Sequence, residues 1–127
     1  MIKPSLDKAK IEALGSGRFR VSGVLNADTV TSVLPQSRER FQGLPGVEVD
    51  FAAVTESDSS GLALLLEWLR LARKAGQKMH FDNVPEQVMA LARISEVDDL
   101  LTENGATPVA PDAAAGATRP AATNITA

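Results

Sequence analysis

The strand-like stretch Val47-Glu48-Val49-Asp50-Phe51-Ala52-Ala53-Val54 is followed two residues later by Ser57-Asp58-Ser59-Ser60-Gly61-Leu62-Ala63-Leu64-Leu65-Leu66, and together they decide the fold. In the first segment Val47, Val49, Phe51 and Ala53 alternate with Glu48 and Asp50, the period-two pattern of a half-buried strand. The second puts three hydroxyls, a carboxylate and a glycine directly before a long apolar run, as a helix N-terminus does. Strand, tight turn and helix start in that order gather unpaired N–H groups and the positive end of a helix dipole at one exposed point. A hydroxyl held there is placed for phosphorylation or for recognition by a partner. Capping needs only one such residue, whereas this turn offers Ser57, Asp58, Ser59 and Ser60.

The helix that follows is expected from about Ser59 to Lys74, ending at Ala75-Gly76 with Arg73 and Lys74 in its last turn. At about 100° per residue, Leu62, Leu65, Leu66, Leu69 and Ala72 share one sector, which should face a sheet. Leu64, Trp68, Leu71 and Ala75 form a second apolar stripe beside it, while Glu67, Arg70 and Lys74 fill the polar sector. The apolar arc is wider than one sheet contact requires. Either a neighbouring helix covers the second stripe, or Trp68 with Leu64 or Leu71 stays exposed as a partner-binding anchor. The candidate partner-binding set is therefore Ser57, Asp58, Ser59, Ser60, Leu64 and Trp68.

Upstream, Arg18 to Val24 alternates as a strand, and residues near Glu12 to Leu14 form a short strand before it, turned by Gly15-Ser16-Gly17. Val30, Val33, Leu34, Ser37 and Phe41 recur at helical spacing, with Asp28 as the expected cap. Pro35 falls inside that pattern and either kinks the helix or marks its true start. Downstream, Lys78-Met79-His80-Phe81 reads as a strand. Pro85 opens a further helix at its first position, with Val88, Leu91, Ala92 and Ser95 on one face, and a short helix from about Val97 to Thr102 closes the domain. Strands alternating with helices indicate an α/β fold, a small mixed sheet covered by helices on one face. From Gly105 to Ala127 the chain is mostly Ala, Thr, Pro and Gly, so the expected division is a domain over 1–104 and a disordered tail over 105–127.

The 127 residues suit one domain, and 44% hydrophobic content with only 4% aromatic residues implies a core of Leu, Val and Ala. A net charge of -3 gives no electrostatic footprint for nucleic acid or an anionic membrane. The chain has no cysteine, which excludes disulfides, thiolate nucleophiles and cysteine metal sites. It shows neither a signal-peptide pattern nor an apolar run long enough to span a membrane, so a cytoplasmic location is expected. His80 is the only histidine. Neither Gly-x-Ser-x-Gly, nor a dinucleotide fingerprint, nor a P-loop is present. Asp50 could bring a carboxylate toward Ser59, although the polar side of a half-exposed strand explains it equally well. No catalysis, no cofactor and no metal are expected.

Val49-Asp50-Phe51 followed by Asp58-Ser59-Ser60-Gly61-Leu62 resembles the core motif of STAS domains, the fold of anti-sigma factor antagonists. The similarity spans residues 12–103. In anti-sigma factor antagonists the serine after this aspartate is phosphorylated by an anti-sigma factor kinase, which would correspond to Ser59. The STAS subunit of the Mla phospholipid ABC transporter carries a hydroxyl residue there and docks on the cytoplasmic ATPase. Gly61 to Leu69 with Ala72-Arg73-Lys74-Ala75-Gly76, and Phe81-Asp82-Asn83-Val84-Pro85-Glu86-Gln87 with Leu91-Ala92 and Asp99-Leu100-Leu101, look more like the Mla branch. The Ser59-Ser60 pair departs from the Thr-Gly of some Mla members and is closer to the antagonists. The resemblance implies a non-catalytic STAS subunit, peripheral on an inner-membrane transporter. Its partner would be the ABC ATPase, and the transporter would move phospholipids to maintain outer-membrane lipid asymmetry. The alternative is an anti-sigma factor antagonist regulated at Ser59.

Overall fold

Gly15, Ser16 and Gly17 all take positive φ, so a two-residue turn at Ser16-Gly17 joins β1 (Ala9–Gly15) to β2 (Arg18–Leu25) as an antiparallel hairpin. The computed structural model describes residues 8–103, 105 and 107. After β2 come α1 (Ala27–Phe41), β3 (Gly46–Ser57), α2 (Ser59–Ala75), β4 (Lys78–Asp82), α3 (Glu86–Ile94) and α4 (Asp98–Glu103). The sheet order is β1-β2-β3-β4, with β2, β3 and β4 mutually parallel. The α/β class, the mixed sheet and the order of elements read from the sequence are all present.

Alternation on the strands fixes which face is covered. Phe19, Val21, Val47, Val49, Phe51, Met79 and Phe81 point into the core. Arg18, Arg20, Glu48, Asp50, Lys78, His80 and Asp82 alternate with them and lie on the other, uncovered face. Against the apolar face pack Val33 and Phe41 of α1, Leu64, Leu65 and Trp68 of α2, Val88 and Met89 of α3, and Leu101 of α4.

The alternation of β3 breaks after Phe51. The β2–β3 register shifts between Arg20 and Ser22 and again between Gly23 and Val24, each time adding a residue on the β3 side. Ala53, expected inward, is consequently exposed, and Ser57 turns in instead.

The α1 cap is Asn26 and not Asp28. Asn26 is extended, its Oδ1 accepts from Thr29 N–H at 3.0 Å, and Thr29 Oγ1 accepts from Asn26 N–H at 2.9 Å. This reciprocal box leaves Asp28 in the first turn, where its charge suits the dipole. Asn26→Ala should cost about 1 kcal/mol, read as a shifted urea midpoint, whereas Asp28→Ala should cost less. Pro35 sits inside α1 without ending it, on the exposed side with Thr31, whose carbonyl it cannot bond.

Pro85 precedes α3 as its N-cap and is not its first residue; its carbonyl accepts from Val88 and Met89 N–H. Ser95, expected inward, is the exposed C-cap, and Met89 holds the inward position. Of the expected tail only Gly105 and Thr107 lie among the described residues. Thr107 donates to the Phe81 carbonyl at 2.8 Å and accepts from Val84 N–H at 2.9 Å. Thr107, two residues beyond the expected start of the tail, is thus bonded to the domain.

Candidate functional site

The parallel strands β2 and β3 end together, with Leu25 opposite Ser57 and Asp58 N–H bonded to the Leu25 carbonyl at 3.1 Å. Asn26 and Asp58 then start α1 and α2 from adjacent strand ends, so both helix N-termini emerge at one end of the sheet.

Within the Ser57–Ser60 turn each polar residue does something different. Ser57 is buried, and its Oγ donates to the Asp58 carbonyl at 3.1 Å. Asp58 is the cap, its Oδ1 accepting from Ser60 N–H at 2.7 Å while the Asp58 carbonyl accepts from Gly61 N–H at 3.0 Å. Ser60 is half-buried. Ser59 is exposed, and among the described residues its hydroxyl has no hydrogen bond. That redundancy resolves into one packing residue, one cap, one half-buried neighbour and one exposed hydroxyl without an internal hydrogen bond. Glu56 and Ala63 are exposed beside it.

Further along the same side of α2, Arg70 grips Glu67 in a two-pronged pair, Nε to Oε1 at 2.9 Å and Nη2 to Oε2 at 2.7 Å. The hydrogen bond from Arg70 holds the Glu67 carboxyl below its usual range.

Leu64 and Trp68 do not belong to this surface, and the reading of them as exposed anchors is corrected. Both are 1% exposed. The first half of the second apolar stripe lies beneath α1: the Trp68 indole N–H donates to Ser37 Oγ at 2.7 Å, and its ring lies 5.4 Å from that of Phe41, whereas Leu71 is half-buried and Ala75 exposed. A neighbouring helix covers Leu64 and Trp68.

The described residues set no histidine beside Ser59. His80 Nε2 is bonded to Asp82 Oδ1 at 2.7 Å on β4. Asp50 Oδ1 accepts from Asn83 Nδ2 and from Ala52 N–H, both at 2.9 Å. The three ligand-type side chains that converge among the described residues, Glu48, His80 and Asp82, do so on the uncovered sheet face, away from this turn. No helix among the described residues is long and apolar enough to cross a membrane. What the corner offers is a free hydroxyl, a carboxylate and small side chains at a helix start, a surface for contact or for a phosphate.

The residue that sequence reasoning undervalued is Gly61. A Cβ there would run into Ser57 Oγ, with Ser57 Cβ at 3.3 Å and Leu25 Cδ1 at 3.4 Å. A glycine inside the first turn of an otherwise leucine-rich helix was the available signal.

A four-stranded mixed sheet with helices on one face is the STAS architecture. The anti-sigma factor antagonist SpoIIAA, solved in its unphosphorylated form, shares it with a TM-score of 0.59 at 17% identity, over 84% of this chain and 92% of that one. Residues 11–102 match the family described as "Mlab, STAS domain", and the chain belongs to that family. The intermembrane phospholipid transport system binding proteins MlaB of Escherichia coli (strain K12) and of Shigella flexneri are each 31% identical to it over 74 residues, 58% of this chain and 74% of theirs.

Proposed function

We propose that this chain is the cytoplasmic, non-catalytic STAS subunit of an Mla-type ABC transporter, docking on the ATPase subunit of a complex that moves phospholipids to maintain outer-membrane asymmetry. The relationship to the MlaB proteins supports the transport role. The observation that carries a docking role is the exposed Ser59 hydroxyl with no internal hydrogen bond among the described residues and no histidine beside it. Asp58, Ser59 and Ser60 form the centre of the docking corner, and Ser57 supports it from inside.

Affinity capture of the tagged chain from its own cells should recover an ABC ATPase. Recovery of a histidine-kinase-like anti-sigma factor in its place would instead support an antagonist regulated by phosphorylation of Ser59. Ser59→Glu should weaken ATPase binding about tenfold or more, because a charge would be forced into a desolvated contact. The fold should survive, since an acid suits the first turn of a helix. Unchanged affinity with an intact circular dichroism spectrum would remove Ser59 from the interface.

A further inference from the structure

On the uncovered face of the sheet, strand register brings three metal-ligating side chains to one point. His80 and Asp82 are two residues apart on β4, so both project from the same face. Glu48 on β3 lies directly opposite His80. Two positions on one strand and a third on its neighbour converge because the pleat spaces them that way. Their carboxylate oxygens and ring nitrogen lie within 4.8 Å of one another, and His80 Nε2 is 2.7 Å from Asp82 Oδ1. Donors bound to one zinc ion at about 2.0–2.2 Å sit roughly 3.3 Å apart in a tetrahedron. The 2.7 Å contact and the 4.8 Å limit lie on either side of that spacing, so small side-chain rotations would seat an ion without moving either strand.

The surroundings suit a cation as well. Among the described residues neither Glu48 nor Asp82 is in an ion pair with an arginine or lysine. Arg18, on β2 opposite Glu48, leaves both carboxyls unclosed. Two carboxylates this near repel each other, and a dication between them reverses that cost. The imidazole is held from behind, where Gly105 comes so close that a Cβ there would lie 2.7 Å from His80 Nδ1. A glycine at that position leaves the ring its place, with Nε2 toward the carboxylates. Glu48 lines two surface clefts, one shared with His80 and the other with Asp82, so the cluster is open to solvent.

We propose that Glu48, His80 and Asp82 form a binding site for a divalent transition-metal ion, with zinc as its representative. An imidazole with two carboxylates suits zinc, nickel or copper, whereas magnesium and calcium prefer oxygen donors alone. The ion takes the lone pair of Nε2, so the single proton of the neutral imidazole sits on Nδ1. The two carboxylates balance the charge of the ion, and water fills the remaining position. With one histidine and no cysteine in the chain, a zinc site has to draw on carboxylates, and the β3–β4 register supplies them. Glu48 sits near the start of β3 and Ser57 at its end, so this site is separate from the docking corner.

Zinc titrated into the full chain, without a histidine tag and in a buffer that does not chelate, tests the site by calorimetry and by NMR. One ion should bind per chain. Because His80 is the only histidine, its ring proton signals report the site without ambiguity. They should shift with zinc and stay in place with the same concentration of magnesium. Glu48→Gln, Asp82→Asn and His80→Gln should each weaken binding about tenfold or more, since even the loss of an outer partner of a ligand costs that much. Asp99→Asn, which removes an exposed carboxylate on α4, should leave it unchanged. Arg18→Gln should tighten binding about twofold or more, because a competing positive charge leaves the same face. Ring signals unmoved by excess zinc overturn the site. Zinc binding that survives His80→Gln undiminished does so too, as does magnesium that moves the ring equally. If circular dichroism shows that a variant has not folded, the wild-type ring signals decide alone.

Discussion

Trp68→Ala will remove about 3–5 kcal/mol of stability, the usual range for truncating a fully buried large aromatic. The indole is 1% exposed and sits among three other rings, with centroids 5.4 Å from Phe41, 6.1 Å from Phe51 and 6.1 Å from Phe81. Those rings come from α1, β3 and β4, so one side chain joins three elements, and its loss leaves a cavity that none of them can close alone. Its N–H donates to Ser37 Oγ, and that hydroxyl in turn donates to the Leu34 carbonyl at 2.7 Å.

Trp68→Phe should therefore be milder, because Ser37 keeps its acceptor. Ser37→Ala should cost about 1–3 kcal/mol by leaving a buried indole N–H unpaired. Urea denaturation with an unchanged m-value measures all three. A loss below about 1 kcal/mol in Trp68→Ala would mean that the ring does not sit in the core. Trp68→Phe should bind its partner as the wild type does, since a side chain buried beneath α1 cannot reach a docking protein.

How far the sequence anticipates this structure depends on how local each cause is. The first half of β3 was legible because Val47, Val49 and Phe51 keep strict alternation, and the start of α2 was legible because a cap needs only its next few residues. The arc on α2 reported that something must cover Leu64 and Trp68, but not what, since α1 and α2 are brought together only by the crossover packing. Ala53 was misplaced because two register shifts with β2 intervene, and no residue of β3 announces them. Asn26 and Thr29 had the spacing of a capping box, but Asp28, a better acid for the first turn, obscured it. Glu48, His80 and Asp82 were out of reach: 32 residues of sequence separate Glu48 from His80, and only the β3–β4 register sets them side by side. The Ser57–Ser60 corner was legible because its residues are contiguous, and the grouping of Glu48, His80 and Asp82 was not, because its residues are brought together only by the fold.

Gly61→Ala will destabilise the domain by about 1–3 kcal/mol through overpacking, although helix propensity alone favours alanine over glycine by about 1 kcal/mol. The propensity gain is outweighed because the new methyl has nowhere to go. It would overlap Ser57 Oγ and press on Ser57 Cβ and Leu25 Cδ1, all held where β2 and β3 end and α2 begins. Relief requires Ser57 to move, and Ser57 is bonded to Asp58, the cap that sets the position of Ser59. If Ser59 docks as proposed, the variant should lose partner affinity beyond what its stability predicts, because its hydroxyl is displaced.

Ser57→Ala alone should cost no more than about 1 kcal/mol, since it deletes one hydrogen bond. Combined with Gly61→Ala it should restore at least half of the lost stability, because the overlapping oxygen is gone. That coupling, about 1 kcal/mol or more between two touching positions, is read from a double-mutant cycle. Additive costs in the cycle, or a Gly61→Ala protein as stable as the wild type, would show that the strand-to-helix turn is not held by this close approach.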